Sequence, residues 1–242
     1  MKLIKLDAID STNEFLKGLS SKQKLENFTV VTAENQTKGK GQMGSVWSSE
    51  AGKNLIMSVF IKDSLSDVNQ IYNLNIAIAL AIIQSLETFN IPNLSIKWPN
   101  DIMSYNFKIG GLLIENSIKS DGNLSSIVGL GLNINQTNFD NLPKASSIAK
   151  ICEASFDKEK VLYSIIDKIK QNTDKLKNDS DSMWEEYVNL LFKKGVPMPF
   201  KDSSNQNFMG IIQGVSNSGN LQVLLEDDCI AEYNLKEIQM LY

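Results

Sequence analysis

Two long apolar runs separated by a turn signal constrain the fold more than any other feature of the sequence. They are KIGGLLIENSIK at 108–119 and LSSIVGLGLNIN at 124–135, and Asp121-Gly122 lies between them. An Asp-Gly pair between apolar runs is a strong signal for a β-hairpin, because both residues tolerate the positive φ angles of a tight hairpin turn. We therefore predict two neighbouring antiparallel strands here, in a fold built around a β-sheet.

The rest of the first 194 residues mixes strand and helix patterns. Helix-start residues around Ser11 precede apolar residues at helical spacing, which predicts a helix that begins near Ser11. Periodic apolar residues predict further helices, and short β-branched or apolar runs predict further strands. The pattern as a whole predicts an α/β (α+β) fold, a mixed β-sheet flanked by helices. The further helices are expected at 71–89, 157–177 and 181–192, and the further strands at 28–34, 54–62 and 94–99.

From Gly195 onward the pattern changes to five short apolar runs separated by polar turns. Short strands at intervals of about 8–12 residues are typical of a small β-barrel. We therefore predict two domains, one over residues 1–194 and a small C-terminal β-barrel over residues 195–242. The second segment is acidic, since residues 196–242 contain two lysines against six acidic residues.

Two residue types are absent, and each absence excludes a class of chemistry. The chain of 242 residues has no histidine and no arginine, so all 24 basic residues are lysines. Without histidine, Ser-His-Asp and Cys-His catalysis are impossible, as are histidine-ligated metal sites. Without arginine, phosphate contacts must come from lysine ammonium groups and backbone N–H groups. The sequence assigns no residue as a metal ligand.

Charge and cysteine content argue against DNA, membranes and a secreted location. The net charge is −4, whereas a nucleic-acid-binding surface needs a basic excess. Cys152 and Cys229 are isolated, which favours a reducing, cytoplasmic compartment over a disulfide framework. The N-terminus lacks the apolar core of a signal peptide. The run at 71–89 is interrupted by Asn, Gln and Glu residues, so a buried helix is expected there rather than a membrane span.

The segment TKGKGQMGSVW, from Thr37 to Trp47, has glycines at G-x-G-x-x-G spacing. A dinucleotide-binding fingerprint needs a strand that runs directly into the first glycine and a helix directly after the last, and neither flank fits. A Walker A loop ends in Gly-Lys-Ser/Thr, and a protein kinase needs an H-R-D catalytic loop; both are missing. Closely spaced glycines still let backbone N–H groups approach an anion, and Lys38 and Lys40 supply positive charge, so the segment favours anion binding. Taken alone, the segment is equally well explained as a solvent-exposed loop.

A second group of polar residues lies at predicted strand ends. The motif KWPND at 97–101 is followed by KIGG at 108–111. Strongly apolar runs are flanked by Lys97, Asp101 and Lys108. Charged residues in such places are seldom buried unless they form ion pairs or have a functional role. The alternative interpretation is that the three are solvent-exposed charges at strand ends, without a function. The glycines beside Lys108 let a ligand approach the backbone, which favours a binding role.

Five motifs, taken in order, resemble those of the biotin–protein ligases. They are STN at 11–13, AENQTKGKGQMGSVW at 33–47, KWPND at 97–101, KIGGLLIE at 108–115 and GLGLNIN at 129–135. The resemblance covers about residues 8–135, and the family also has a small C-terminal barrel. It implies a catalytic domain like that of class II aminoacyl-tRNA synthetases, followed by an SH3-like β-barrel. The first motif starts at residue 11, which leaves no room for the N-terminal DNA-binding domain of the family's regulatory members and implies the monofunctional class.

The resemblance implies an enzyme that uses ATP and Mg²⁺ to join biotin to AMP and releases pyrophosphate. It then passes biotin to one lysine of the biotin carboxyl carrier protein of acetyl-CoA carboxylase. Both steps depend on positioning and charge neutralisation, which need no histidine. The implied partners are biotin, ATP and the carrier protein, without DNA or membrane. The sequence leaves the oligomeric state open, a homodimer included.

The same resemblance assigns roles to individual residues. Lys108 would bridge the biotin carboxylate and the α-phosphate, Asp101 would orient or deprotonate the acceptor lysine, and Lys40 would belong to the loop that closes over biotinyl-AMP. Trp47 would lie beside the adenine, although it also suits a core position, and Asn133 would bond the adenine edge unless it merely ends a strand. Ser11 is in addition a plausible helix N-cap. The binding residues would be Ser11, Thr12, Asn13, Gln36, Gly39, Lys40, Gly41, Gln42, Trp47, Lys97, Asn100, Lys108, Gly111 and Asn133.

One position departs from the family's loop, which typically carries several arginines. Gln42 is neutral at a place where lysine was available, so a weaker grip on the adenylate is expected. A lipoate or octanoate ligase or transferase shares the architecture and is the nearest alternative, although KWPND with KIGG favours biotin. A non-catalytic biotin- or nucleotide-binding module is opposed by the presence of both Lys108 and Asp101. A DNA-binding repressor is opposed by the charge balance.

Overall fold

Seven strands form the larger of two sheets in the protein, whose computed structural model describes residues 2–62, 71–118, 124–140 and 142–242. The strands are β1 Leu3–Ile9, β2 Thr29–Gln36, β3 Leu55–Lys62, β4 Leu94–Lys97, β5 Asp101–Ser104, β6 Phe107–Ile118 and β7 Leu124–Leu132. Their order across the sheet is β1-β2-β3-β7-β6-β5-β4. Only the β1–β2 pair is parallel and the other neighbours are antiparallel, so the predicted mixed sheet is confirmed.

Helices cover both faces of this sheet. Successive residues of a strand point to opposite faces. In β2, Val30 therefore joins the large core that contains the central helix α2, whereas Val31 joins a smaller core beneath α1. The central helix is buried along most of its length, as expected for residues 71–89, and no described helix is long and apolar enough to cross a membrane. The described helices are α1 Thr12–Lys22, α2 Ile71–Glu87, α3 Ile148–Cys152, α4 Lys158–Lys175 and α5 Ser180–Asn189.

The two long apolar runs become β6 and β7, which pair antiparallel as predicted. The predicted Asp121-Gly122 turn lies outside the described residues. Along its other edge β7 pairs with β3, so it is an interior strand of the sheet. A strand covered by helices on both faces has no solvent side, which explains why its apolar sequence is nearly continuous.

The sequence did not predict β1, β5 or α3, and it placed one strand boundary wrongly. The expected strand at 94–99 ends at Lys97, and β5 starts at Asp101. A turn that contains the cis peptide bond between Trp98 and Pro99 separates the two strands. Strands of four residues leave too few positions for a periodic pattern, and β1 is a partly exposed edge strand that mixes polar with apolar residues.

Five strands after residue 195 form the smaller sheet, in the order β11-β10-β9-β8-β12 with all neighbours antiparallel. The pairs form an open series with β11 and β12 at its edges, so closure into a barrel stays a prediction. Phe200 and Ile212 of this sheet share the large core with α2. The Trp98 indole N–H also donates to the Gly219 carbonyl at 2.9 Å. The strands are β8 Pro197–Asp202, β9 Asn207–Val215, β10 Leu221–Leu224, β11 Ile230–Tyr233 and β12 Ile238–Met240.

Candidate active site

A small cavity of about 110 Å³ lies where the start of α1, strands β6 and β7, and residues 39–47 meet. We call residues 39–47 the glycine loop. Four of the predicted site residues, Gly39, Lys97, Asp101 and Asn133, are not part of the cavity wall. The predicted residues that do line it are Ser11, Thr12, Asn13, Gln36, Lys40, Gly41, Gln42, Trp47, Asn100, Lys108 and Gly111.

The start of α1 builds a polar wall of the cavity. Ser11 caps the helix, since its Oγ accepts from the Glu14 amide at 3.5 Å, as its N-cap interpretation requires. Thr12 donates from its amide and its hydroxyl to Gln36 Oε1, at 2.7 and 3.0 Å. Among the described residues Gln36 Nε2 has no hydrogen-bond partner, so its N–H groups are available to a ligand.

Ser58 of β3 ties this wall to the sheet. Its Oγ lies 2.8 Å from Thr12 Oγ1 and 2.6 Å from Asn13 Oδ1. Asn13 Nδ2 in turn donates to Glu115 Oε2 at 2.8 Å. Ser58 belongs to none of the sequence motifs. The signal that could have marked it was a hydroxyl inside the apolar run NLIMSVFIK, because a buried polar group needs a partner.

The glycine loop folds back on itself through a single 3-10 turn at Gln42–Gly44, and no helix follows Gly44 before β3. The Gly41 amide donates to the Ser45 carbonyl at 2.7 Å, and the Trp47 amide donates to the Gly39 carbonyl at 2.9 Å. Met43 and Gly44 form the turn with φ angles of 52° and 82°. A Cβ atom on Gly39 would lie 2.3 Å from the Trp47 carbonyl oxygen, so only glycine fits there. This geometry agrees with the exclusion of a dinucleotide-binding fingerprint.

Carboxylates near the start of α1 hold both lysines of this region. Lys38 Nζ lies 2.8 Å from Asp10 Oδ2, and Lys40 Nζ lies 2.6 Å from Glu14 Oε1. The hydrogen bond between Lys40 and Glu14 raises the pKa of the lysine and lowers the pKa of the carboxyl group. Both pairs face solvent, where ion pairs contribute little to stability. An anion in the cavity can therefore compete for the Lys40 ammonium group.

The tip of the glycine loop also contacts the smaller sheet. Lys236, which lies between β11 and β12, donates from Nζ to the Met43 carbonyl at 2.9 Å. Gln42 lies at this junction, because it lines both the small cavity and a neighbouring cavity of about 440 Å³. No sequence motif pointed to Lys236, since 193 positions separate it from Met43.

A charged cluster lies beside the small cavity. Lys108 Nζ is 2.5 Å from Asp101 Oδ1, and Lys97 Nζ is 3.7 Å from Asp101 Oδ2. The sheet brings these three residues together. Lys97 of β4 pairs directly with Asp101 of β5. Lys108 of β6 lies opposite Met103 of β5, and a β-bulge lies between Met103 and Ile102. Burial lowers the pKa of Lys97, and repulsion from Lys108 and Lys144 acts in the same direction, whereas Asp101 opposes the shift.

Trp47 fills much of the space between the cluster and β7. A Cβ atom on Gly131 would lie 2.3 Å from Cε2 of the Trp47 ring, so the ring packs directly on the strand backbone. Lys108 Nζ lies 5.8 Å from the centre of the same ring. The Trp47 indole N–H is the only buried side-chain polar atom of the described residues without a hydrogen-bond partner. Ligand sites usually measure at least about 300 Å³, so the wall that includes this ring must open before a larger ligand enters.

Asn133 and Asn100 make backbone contacts outside the polar wall. Asn133 Nδ2 donates to the Ser146 carbonyl at 3.0 Å. Asn100 Nδ2 donates to the Leu112 carbonyl at 2.5 Å and holds the KWPND turn against β6. Asn100 and Lys97 also line the neighbouring 440 Å³ cavity. The structure places Asn133 directly after β7, where its backbone amide donates to the carbonyl of Ile109, the neighbour of Lys108, at 2.7 Å.

Few side chains of the described site could ligate a metal ion. Within the described part of the chain, no three His, Cys, Asp or Glu residues are grouped to hold one. Mg²⁺ often binds through one or two carboxylates and the phosphates of a nucleotide. The side chains here therefore suit a cation that arrives with its phosphates better than a metal held by the protein alone.

Comparison with known families decides what kind of protein this is. The model of the biotin/lipoate A/B protein ligase family matches residues 6–135, which is more than half of the chain. The chain belongs to this family. The resemblance to biotin–protein ligases predicted from the five motifs is confirmed.

Relatives of this ligase-family chain are known from several organisms. The bifunctional ligase/repressor BirA of Bacillus spizizenii is 31% identical over 169 residues, which are 68% of this chain and 51% of that protein. The biotin–[acetyl-CoA-carboxylase] ligase of Mycobacterium tuberculosis is 24% identical over 195 residues, 79% of this chain and 71% of that protein. The chain thus spans about half the length of its Bacillus relative.

Solved structures of the ligase family share the fold. The biotin protein ligase from Aquifex aeolicus in complex with biotin and ATP aligns with a TM-score of 0.80 and 26% sequence identity. The alignment covers 99% of this chain and 98% of that chain, so it includes both the larger and the smaller sheet.

Proposed function

We propose that the protein is a biotin–protein ligase that activates biotin with ATP and transfers it to a lysine of a carrier protein. The observation that carries this proposal is the Lys108–Asp101 pair beside a cavity walled by α1 and the glycine loop, in a chain of this family. The named relatives and solved structures are biotin ligases, which favours biotin over lipoate or octanoate as the substrate.

In the first step Lys108 would neutralise the two reacting anions. The biotin carboxylate attacks the α-phosphate of ATP, a new O–P bond forms, and pyrophosphate leaves. Lys108 lies at the cavity wall with its ammonium group on Asp101. A cation fixed where negative charge accumulates stabilises the transition state, because it does not have to reorganise during the reaction. Lys40, with Gly39 and Gly41 on either side of it, would close over the adenylate from the glycine loop.

In the second step Asp101 would take a proton from the acceptor ammonium group. The resulting amine attacks the carbonyl carbon of biotinyl-AMP, the C–N bond forms, and AMP leaves with the oxygen of the mixed anhydride. Asp101 is bonded to Lys108 in this structure. The transfer therefore fits best once Lys108 has turned to the adenylate phosphate and freed a carboxylate oxygen.

The polar wall would recognise biotin, and the far side of the cavity would take the nucleotide. Ser11, Thr12 and the free N–H groups of Gln36 suit the ureido ring, and Asn13 holds the wall in place. Gly111 leaves room beside Lys108. Trp47 would move to lie beside the adenine. Asn133 would use its carbonyl oxygen on the adenine amine, since its amide nitrogen already donates to Ser146.

The proposed function also includes a metal ion, an acceptor protein and a division of the chain into two domains. Mg²⁺ would shield the phosphates of ATP and take most of its ligands from them. The acceptor would be the biotin carboxyl carrier protein of acetyl-CoA carboxylase, in the cytoplasm. Residues 1–194 would form the catalytic domain and residues 195–242 an SH3-like barrel. A homodimer is compatible with all of these roles.

Transfer of labelled biotin to a carrier domain in the presence of ATP and Mg²⁺ tests this function. The wild type is expected to label the acceptor lysine, and Lys108→Ala is expected to lose about 2–4 kcal/mol of transition-state stabilisation, as reported for single electrostatic groups. Lys150→Ala is the matched control, because Lys150 lies outside the cavity wall. A parallel reaction with lipoate separates the two substrates. Labelling with lipoate alone would overturn the proposal.

A further inference from the structure

Three lysines lie around Asp101 and Tyr242 next to the small cavity. Lys97 and Lys108 both contact Asp101, at 3.7 and 2.5 Å. Lys144 joins them through the backbone, since the Lys108 amide donates to the Lys144 carbonyl at 2.8 Å. None of the sequence motifs included Lys144. Within the described residues, Asp101 is the only carboxylate at ion-pair distance from any of the three ammonium groups.

The ring of Tyr242 makes cation–π contacts with two of these lysines. Lys144 Nζ lies 4.2 Å from the ring centre and Lys97 Nζ lies 5.4 Å from it. The ring is itself held, because it packs edge-on against Phe192 at 5.0 Å and the neighbouring Leu241 amide bonds the Pro199 carbonyl. Ammonium groups within about 6 Å of an aromatic face are attracted by its quadrupole. Tyr242 thus fixes Lys97 and Lys144 on one side of the cluster.

The charges of the cluster do not balance. The side chains of the cluster carry three ammonium groups, on Lys97, Lys108 and Lys144, and one carboxylate, on Asp101, while Lys97 is mostly buried. Repulsion from Lys108 and Lys144 adds to burial in lowering the pKa of Lys97. Like charges held this close destabilise one another, and a bound anion with two or more negative charges would relieve that repulsion.

We propose that Lys144, held over the Tyr242 ring beside Lys97, binds the pyrophosphate portion of ATP, with Tyr242 acting as a positioning residue. This inference rests on the proposed function, because it assigns the leaving group of that reaction to this side of the cluster. Lys108 would then stay on the α-phosphate, and the other two lysines would hold the β- and γ-phosphates. In a chain without arginine, point-charge contacts of this kind replace bidentate guanidinium contacts.

Binding of inorganic pyrophosphate by titration calorimetry tests the site without any turnover. Lys144→Gln is expected to weaken binding about tenfold, since a hydrogen bond to a charged group is worth about 1.5–3 kcal/mol and 1.4 kcal/mol is tenfold. Tyr242→Leu is expected to weaken it similarly, whereas Tyr242→Phe keeps the ring and is expected to bind like the wild type. Lys150→Gln is the matched control, because Lys150 also lies over a ring, that of Phe139, but outside the cluster.

Kinetics separate this inference from the proposed function. In biotin-dependent ATP–pyrophosphate exchange, Lys144→Gln is expected to raise KM for pyrophosphate about tenfold and to leave KM for biotin unchanged. Equal pyrophosphate affinity of the wild type and Lys144→Gln overturns the inference, and so does equal weakening by Lys150→Gln. If the wild type binds pyrophosphate through Lys144 but transfers no biotin, the proposed function fails and the anion site stands.

Discussion

At the scale of single residues, Gln42 is the position where we expect this chain to depart from the arginine-containing loop typical of biotin–protein ligases. It lies between the small cavity and the neighbouring one, next to the tip that Lys236 holds. A neutral side chain there offers a weaker bond to the adenylate phosphate than a cation does, by about 1–3 kcal/mol. Gln42→Arg is therefore expected to slow dissociation of biotinyl-AMP about tenfold or more. Gln213→Arg, an exposed change in the smaller sheet, is the control, and equal off-rates for wild type and Gln42→Arg would contradict the hypothesis.

Trp47 is the second residue whose behaviour the structure makes testable. Its ring occupies the cavity with an unpaired indole N–H, so ligand entry must change its surroundings. Biotin is expected to change the tryptophan fluorescence of the wild type, and Trp47→Phe is expected to remove that change. Trp184→Phe is the control, because the Trp184 indole N–H is bonded to Asn73, away from the cavity wall. A change of the same size in Trp47→Phe would come from another tryptophan and would contradict this expectation.

At the scale of elements, the glycine loop connects the two sheets. Carboxylates near α1 hold its first half, and Lys236 holds its tip. Lys236→Ala is expected to speed amide hydrogen exchange in the loop about fivefold, because one net hydrogen bond contributes about 1 kcal/mol. Exchange at the Gly41 and Trp47 amides is the readout, measured by mass spectrometry without ligand. Lys201→Ala serves as the control lysine of the same sheet, and unchanged exchange in Lys236→Ala would mean that this contact does not hold the loop.

The elements also show how far the sequence could lead and where it stopped. Long runs such as β6 and β7 were predictable, because both are interior strands of the sheet and each packs an apolar face into the large core. The short strands β1 and β5 were not, since partial exposure or shortness erases the pattern. The ordered motifs predicted most of the residues that line the small cavity. Ser58, Lys144 and Tyr242 escaped, because only tertiary packing brings them to the site and no local spacing marks them.

At the scale of the whole molecule, the shared core predicts that the two sheets unfold together. Phe200 and Ile212 of the smaller sheet are buried in the same cluster as α2, and Trp98 bonds Gly219 across the junction. Separating the sheets would expose that apolar surface, at a cost of about 25 cal/mol per Å². A Cys152→Ser variant can be labelled with a dye on the exposed Cys229, which lies between β10 and β11. Its unfolding in urea is expected to show the same midpoint by tryptophan fluorescence and by the dye. An unlabelled sample controls for the dye, and an earlier midpoint at Cys229 would instead mark the smaller sheet as an independent folding unit.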